Sequence, residues 1–120
     1  MKITAERHQG LAGIVQVVKV DGYLDAHTFP DLEKSLREFI DGGHCHIVLD
    51  FETLDYISSA GLGLLLGIHR LISQKQGGLK IANMSESLHD IFEVLGFTRI
   101  IGICSDTEAA LKSFGPKRQG

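Results

Sequence analysis

Apolar residues recur along this chain with two periods, and the changes of period mark its elements. Lys2 to Glu6 and Ile14 to Val20 read as strands, separated by the loop Gly10-Leu11-Ala12-Gly13. The second is β-branched, with Gln16 and Lys19 as its polar positions, and Asp21-Gly22 after it predicts a turn. Thr28 then opens a helix with Pro30 in its first turn and Asp31 three residues on. Phe29, Leu32, Leu36 and Phe39-Ile40 form its apolar face, and Gly42-Gly43 end it. Ile47-Val48-Leu49-Asp50-Phe51 is short and nearly all apolar, as expected of a strand buried on both faces.

A second helix is expected from Ser59 to Gln76, stopping at Gly77-Gly78, and Leu79 to Ala82 is a short strand. Ser85 caps a third helix whose Leu88, Ile91, Phe92 and Leu95 fall at helical spacings, with Gly96 at its end. Arg99 to Ile103 is the last apolar run, an edge strand or an irregular extension. Ser105 with Glu108 predicts a capping box for a final helix that packs through Leu111 and Phe114 and stops at Gly115-Pro116. Strands and helices alternate after Val20, so the predicted fold class is α/β with a partly parallel sheet.

Composition narrows the field. The 120 residues, 43% hydrophobic and 22% charged, suit one soluble domain over 1–115 with a polar tail over 116–120. A net charge of −3 argues against direct nucleic-acid binding, which needs a basic stripe. Cys45 and Cys104 fit a reducing cytoplasm better than a disulfide scaffold. The first residues turn charged too soon for a signal peptide. The longest apolar stretch, Leu62 to Ile68, is far short of a span, so no membrane insertion is expected.

Candidate chemistry concentrates at Ser58-Ser59, between an apolar strand and an apolar helix. Ser59 can cap the helix, or it can serve as an accessible hydroxyl whose phosphorylation would add roughly −1.5 to −2 charges. Gly61 and Gly63 cost about 1 kcal/mol each inside a helix, so they need a reason. Either the helix packs closely on the sheet, or a bare helix start lets a partner approach. Asp25, Asp55 and Asp50 stand around the junction, in descending order of interest, as turn carboxylates or as an acidic rim facing a basic partner.

Other chemistry fares poorly. The nucleophile elbow is missing because Ile57 stands where its first glycine belongs. His69 lies about three helical turns from Ser59, roughly 15 Å by helical rise. His44-Cys45-His46 lacks a second ligand pair at a metal-site spacing, and neither phosphate-binding glycine motif occurs. No enzyme activity, metal or cofactor is expected.

Gly22-Tyr23-Leu24-Asp25-Ala26-His27-Thr28, Val48-Leu49-Asp50-Phe51 and Tyr56-Ile57-Ser58-Ser59-Ala60-Gly61-Leu62-Gly63 together resemble STAS domains, over about Ile3 to Phe114. The resemblance implies a small mixed sheet with helices packed mainly on one face. It is strongest to the stand-alone anti-sigma-factor antagonists. In that branch an ATP-dependent serine kinase, the anti-sigma factor, binds the unphosphorylated antagonist and phosphorylates a serine at this helix start. A phosphoserine phosphatase resets it.

Aligned on Gly61, the phosphorylated serine falls on Ser59, with Ser58 as the backup acceptor. Where the best-known members carry Asp, this chain has Ser58, which removes a charge the family often presents to the kinase. The resemblance implies a docking surface of Asp25, Asp55, Ser58, Ser59, Ala60, Gly61, Leu62 and Gly63. The family also allows a scaffold role in a membrane transport, lipid-trafficking or stress-signalling assembly.

Overall fold

The computed structural model describes residues 1–10 and 13–114; Leu11-Ala12 of the expected loop, the Gly115-Pro116 stop and the tail over 116–120 lie outside them. Strand β1 (Lys2–Gly10) and strand β2 (Gly13–Leu24) form an antiparallel hairpin in which Gly10 faces Gly13. β1 runs past the predicted Glu6 because Arg7, His8 and Gln9 continue the backbone ladder opposite Gln16, Val15 and Ile14. Their polar side chains hid a pairing that backbone groups make.

β2 also continues, through Asp21-Gly22, where the sequence predicts a turn. Gly22 takes φ +95° and the register shifts between Gly22 and Tyr23, so the glycine serves a bulge within one long strand. Beyond the bulge β2 acquires a parallel neighbour that the sequence did not announce, β4 (Leu54–Ile57). Upstream it pairs in parallel with β3 (His46–Asp50), which pairs with β5 (Gly78–Ala82), and β5 with β6 (Gly102–Cys104). The main order is β1-β2-β3-β5-β6, so the last apolar run does supply an edge strand, preceded by a 3₁₀ turn at Phe97–Arg99.

Four helices complete the fold: α1 (Phe29–Asp41), α2 (Ser59–Gln74), α3 (Glu86–Val94) and α4 (Thr107–Lys112). The first three share one face of the sheet. There Val18, Val20, Ile47, Leu49 and Ile81 pack with Leu36 of α1, Leu65 and Ile68 of α2 and Phe92 of α3 in one buried cluster. Each fully buried side chain of this kind contributes about 1.5–3 kcal/mol. The opposite face is covered only in part, where Ala110 of α4 and Phe114 lie over Val15, Val17 and Val48. Helices mainly on one face of a mixed sheet is the architecture expected from the sequence.

Two helix ends differ from expectation. α4 is capped by Asp106, not Ser105: its Oδ1 accepts from the Ala109 N–H at 2.8 Å. α2 ends at Gln74 rather than Gln76, because Gln76 turns to φ +60°. The chain then passes Gly77 against Cys45, whose carbonyl would collide with any Cβ there.

Candidate functional site

β2, β4 and the start of α2 meet at Ser58. Its N–H donates to the Leu24 carbonyl at 2.9 Å, tying the junction to the end of β2. Its backbone is extended, and its Oγ accepts from the Gly61 N–H at 3.4 Å. Ser58 is therefore the cap of α2, and Ser59 is the first helical residue, exposed to solvent. Of the two roles open to Ser59, capping therefore falls to its neighbour. Of two adjacent serines, the one held extended by Leu24 becomes the cap. The division leaves the Ser59 hydroxyl accessible at the positive end of the α2 dipole.

The two glycines of the first turn separate cleanly. A Cβ on Gly61 would lie 2.8 Å from Ile57 Cγ1 and 2.9 Å from both Leu24 Cγ and the Leu24 carbonyl oxygen, so packing demands glycine. Around Gly63 there is open space, and the same holds for Gly67 one turn later. Both line an open groove of about 320 Å³ between α1 and α2, with Ala60 beside Ser59 and Phe29, Glu33 and Arg37 opposite.

Asp25 shapes the neighbouring loop. Its Oδ1 accepts from the His27 N–H (2.9 Å) and the Thr28 N–H (3.1 Å), and lies 3.2 Å from Thr28 Oγ1. The Thr28 hydroxyl itself accepts from the Asp25 N–H at 2.9 Å and reaches the Tyr23 carbonyl at 2.8 Å. Thr28 opens α1 as expected but without a side-chain cap bond: the Phe29 N–H donates to the Asp25 backbone carbonyl and the Asp31 N–H to that of Thr28. Desolvation acts to raise the Asp25 pKa, but the bonds from His27 and Thr28 outweigh it and hold the carboxyl below its ordinary 3.8.

The other candidates take different places. Asp50 is occupied structurally, accepting from the Glu52 N–H (3.0 Å) and from Asn83 Nδ2 (3.1 Å). Asp55 is exposed on β4, two residues before Ile57, and Leu62 is half-buried against the helical core. His69 lies along α2, its Nδ1 buried with no hydrogen-bond partner among the described residues. Among the described residues no three His, Cys, Asp or Glu side chains gather as metal ligands. No helix of the described chain is long and apolar enough to cross a membrane.

Sequence reasoning missed two features here. One is Gly67, spaced one turn from Gly63, a signal visible in the chain. The other is the contact of Tyr23 with Tyr56, register partners on β2 and β4 whose ring centroids stand 6.0 Å apart. Both tyrosines lie within motifs of the chain, but their pairing depends on a strand whose pattern the sequence does not reveal.

Comparison with known proteins gives a consistent answer. The family model described as the STAS domain matches residues 2–110. An anti-sigma F factor antagonist of Paenibacillus polymyxa is 32% identical over 112 residues, 92% of each chain. The anti-sigma-B factor antagonist of Staphylococcus aureus strain NCTC 8325 is 33% identical over 91 residues, 76% of this chain and 84% of its own. Among solved structures, the anti-sigma factor antagonist SpoIIAA in its unphosphorylated form superposes with a TM-score of 0.70 at 23% identity, covering 89% of this chain and 91% of its own. The phosphorylated form of SpoIIAA from Bacillus gives 0.68 at 24% identity, over 90% and 96%.

Proposed function

Because this chain belongs to the STAS domain family, we propose that it is an anti-sigma-factor antagonist, switched by phosphorylation of Ser59. In its unphosphorylated form it binds an anti-sigma serine kinase and so frees a sigma factor for transcription. ATP-dependent phosphorylation of Ser59 ends the association, and a phosphoserine phosphatase restores it. The protein is a regulatory substrate in this scheme, acting in the cytoplasm. Relatives named as anti-sigma-factor antagonists over most of their length support the role. The observation that carries the switch is the exposed hydroxyl of Ser59 at the first position of α2, beside a cap that needs only Ser58.

The physics suits a switch that acts at an interface. A phosphate on Ser59 faces the helix N-terminus, where negative charge is stabilised, so the fold accepts it. The partner surface loses instead: bulk and up to about two added negative charges stand where it must approach. Docking involves Asp25, Asp55 and the Ser58 to Gly63 segment, with the open side of Gly63 admitting partner backbone.

Affinity capture from native lysate with Ser59→Ala and Ser59→Asp baits tests this. A serine kinase retained by the alanine bait, and much less by the aspartate bait, is the expected result. Transporter subunits, or the same proteins on both baits, would support the scaffold role and reject the switch. Incubation of the purified kinase with ATP should phosphorylate the wild type but not Ser59→Ala; phosphate on the alanine variant would place the site at Ser58.

A further inference from the structure

β1 stands at one end of the strand order and pairs with β2 alone. Among the described residues no strand lies along its other side, where half of its N–H and C=O groups point. Edge strands are ordinarily blunted by being short, by a proline or by a bulge. β1 has none of these. Its nine residues run from Lys2 opposite Asp21 to Gly10 opposite Gly13 with no proline and no shift of register. Thr4, Ala5, Glu6 and Arg7 are all exposed. Charge alone is left to limit what this edge pairs with.

The charges select one arrangement. Ile3 and Ala5 lie opposite Val20 and Val18, which are buried under the helices, so they take the helix face of the sheet. Lys2, Thr4 and Glu6 take the open face, Glu6 opposite Val17. A second copy can add its own β1 antiparallel, through a two-fold axis perpendicular to the sheet. Residues then meet across the seam only with others of the same face, and the residue on the axis defines the register. With Glu6 or Arg7 on the axis, like charges stand directly opposite. With Ala5 there, Lys2 meets His8 and Ile3 meets Arg7; with Ile3 there, the seam shortens and joins no charges. With Thr4 on the axis, Lys2 meets Glu6 twice on the open face with Thr4 against Thr4 between them. Ile3 then meets Ala5 twice on the helix face, and Arg7 falls opposite Met1 at the end of the seam. Opposite-charge and Thr–Thr pairs are those that stabilise neighbouring strands.

Both charges are available for this. Lys2 makes no ion pair among the described residues; it faces Asp21, which accepts from the Thr53 hydroxyl. Glu6 keeps a side chain 72% exposed, with one oxygen 3.3 Å from His8 Nε2. α4 approaches β1 only at its other end, where Leu111 lies by Gly10. We propose that β1 is a self-association edge: two copies pair their β1 strands antiparallel about Thr4, joining two sheets into one, with reciprocal Lys2–Glu6 pairs fixing the register. The seam is short, so the dimer is weak and forms with rising concentration. It is independent of what binds at Ser59.

Sedimentation of the full chain from micromolar to millimolar concentration should show a monomer–dimer equilibrium. Lys2→Glu and Glu6→Lys each place like charges opposite one another twice, and each should weaken the dimer about fivefold or more. The double exchange restores opposite charges and should return to within about threefold of the parent. Cysteine pairing tests the register with both charges intact, and so decides even if a charge variant does not fold. Two Thr4→Cys residues would face each other with Cα atoms about 4.5–5.5 Å apart, within disulfide reach. Two Ala5→Cys residues would stand about 8 Å apart, beyond it. Under mild oxidation Thr4→Cys should cross-link at least about fivefold faster than Ala5→Cys, with peptide mapping placing the bond between the two copies of residue 4. A chain that stays monomeric at millimolar concentration would leave the edge to another protein's strand and overturn the proposal. So would a double exchange that restores nothing, or equal cross-linking at residues 4 and 5.

Discussion

Ser58 puts its hydroxyl on the Gly61 N–H and its own N–H on the Leu24 carbonyl, whereas Ser59 is exposed at the first helical position. Ser58→Ala removes a cap, at the low end of the usual range because the bond is 3.4 Å long: about 0.5–1 kcal/mol. Ser59→Ala places the best helix former in a helix and should change stability by less than about 0.5 kcal/mol. Urea unfolding of the two variants checks the order, which should appear in the midpoint at unchanged slope. A larger loss at Ser59 would return the cap to it. Asp25 adds a pH dependence. Its carboxyl is depressed below 3.8 in the folded state, so its stabilising effect is present above that value and is lost as pH falls through the folded pKa. Asp25→Asn should therefore lose less stability on acidification below 3.8 than the wild type, as thermal melts across that range would show. Parallel acid limbs would mean that the bonds to His27 and Thr28 do not favour the ionised form.

At the scale of the element, α2 assigns opposite roles to its glycines. Gly61→Ala forces a methyl to 2.9 Å from the Leu24 carbonyl, a backbone atom that cannot step aside, and should destabilise by about 1–3 kcal/mol. Gly63→Ala enters open space and should stabilise by about 0.5–1 kcal/mol through helix propensity. If partner backbone approaches there, the more stable variant will also bind the kinase more weakly. Unfolding and calorimetry on the same proteins separate the two effects, and a Gly63→Ala protein that gains stability without losing affinity would assign the open side no part in docking. The periodic helices were legible because their buried faces repeat every three or four residues, as Leu32, Leu36 and Ile40 do. β4 was not: its buried residues are Leu54 and Ile57, three apart, with exposed Asp55 and Tyr56 between them, a pattern no strand template produces. Asp21-Gly22 carries the same local chemistry for a turn and for a bulge, and the pairing of Tyr23 with Tyr56 decides between them. The caps slipped by one residue for a similar reason. Ser58 and Ser59, like Ser105 and Asp106, are locally equivalent, and the choice is made by which backbone the rest of the sheet holds extended.

For the whole molecule, the question is whether a phosphate at one hydroxyl must reshape the fold in order to release a partner. Ser59 is exposed and belongs to no strand ladder, and the burial in its neighbourhood belongs to Ile57, Gly61 and Leu65. The sheet behind it is joined by ladders from β1 through β6, and three helices close one face over a continuous cluster. A charge at the rim of such a structure has no loosely packed element to displace. Phosphorylation takes the net charge from −3 to about −5, with the increment placed beside Asp25 and Asp55 rather than spread over the surface. The release is then electrostatic and steric at the interface. Phosphorylated protein should match the unmodified protein in unfolding free energy within about 1 kcal/mol, with any gain coming from the α2 dipole. Amide shift changes should concentrate at residues 57–63 and the Asp25 loop, while β3 and β5 stay unmoved. Raised salt should recover part of the lost affinity for the kinase, because screening weakens exposed repulsion. Shift changes that spread through β3 and β5, or a loss of affinity independent of salt, would instead require a conformational switch carried by the sheet.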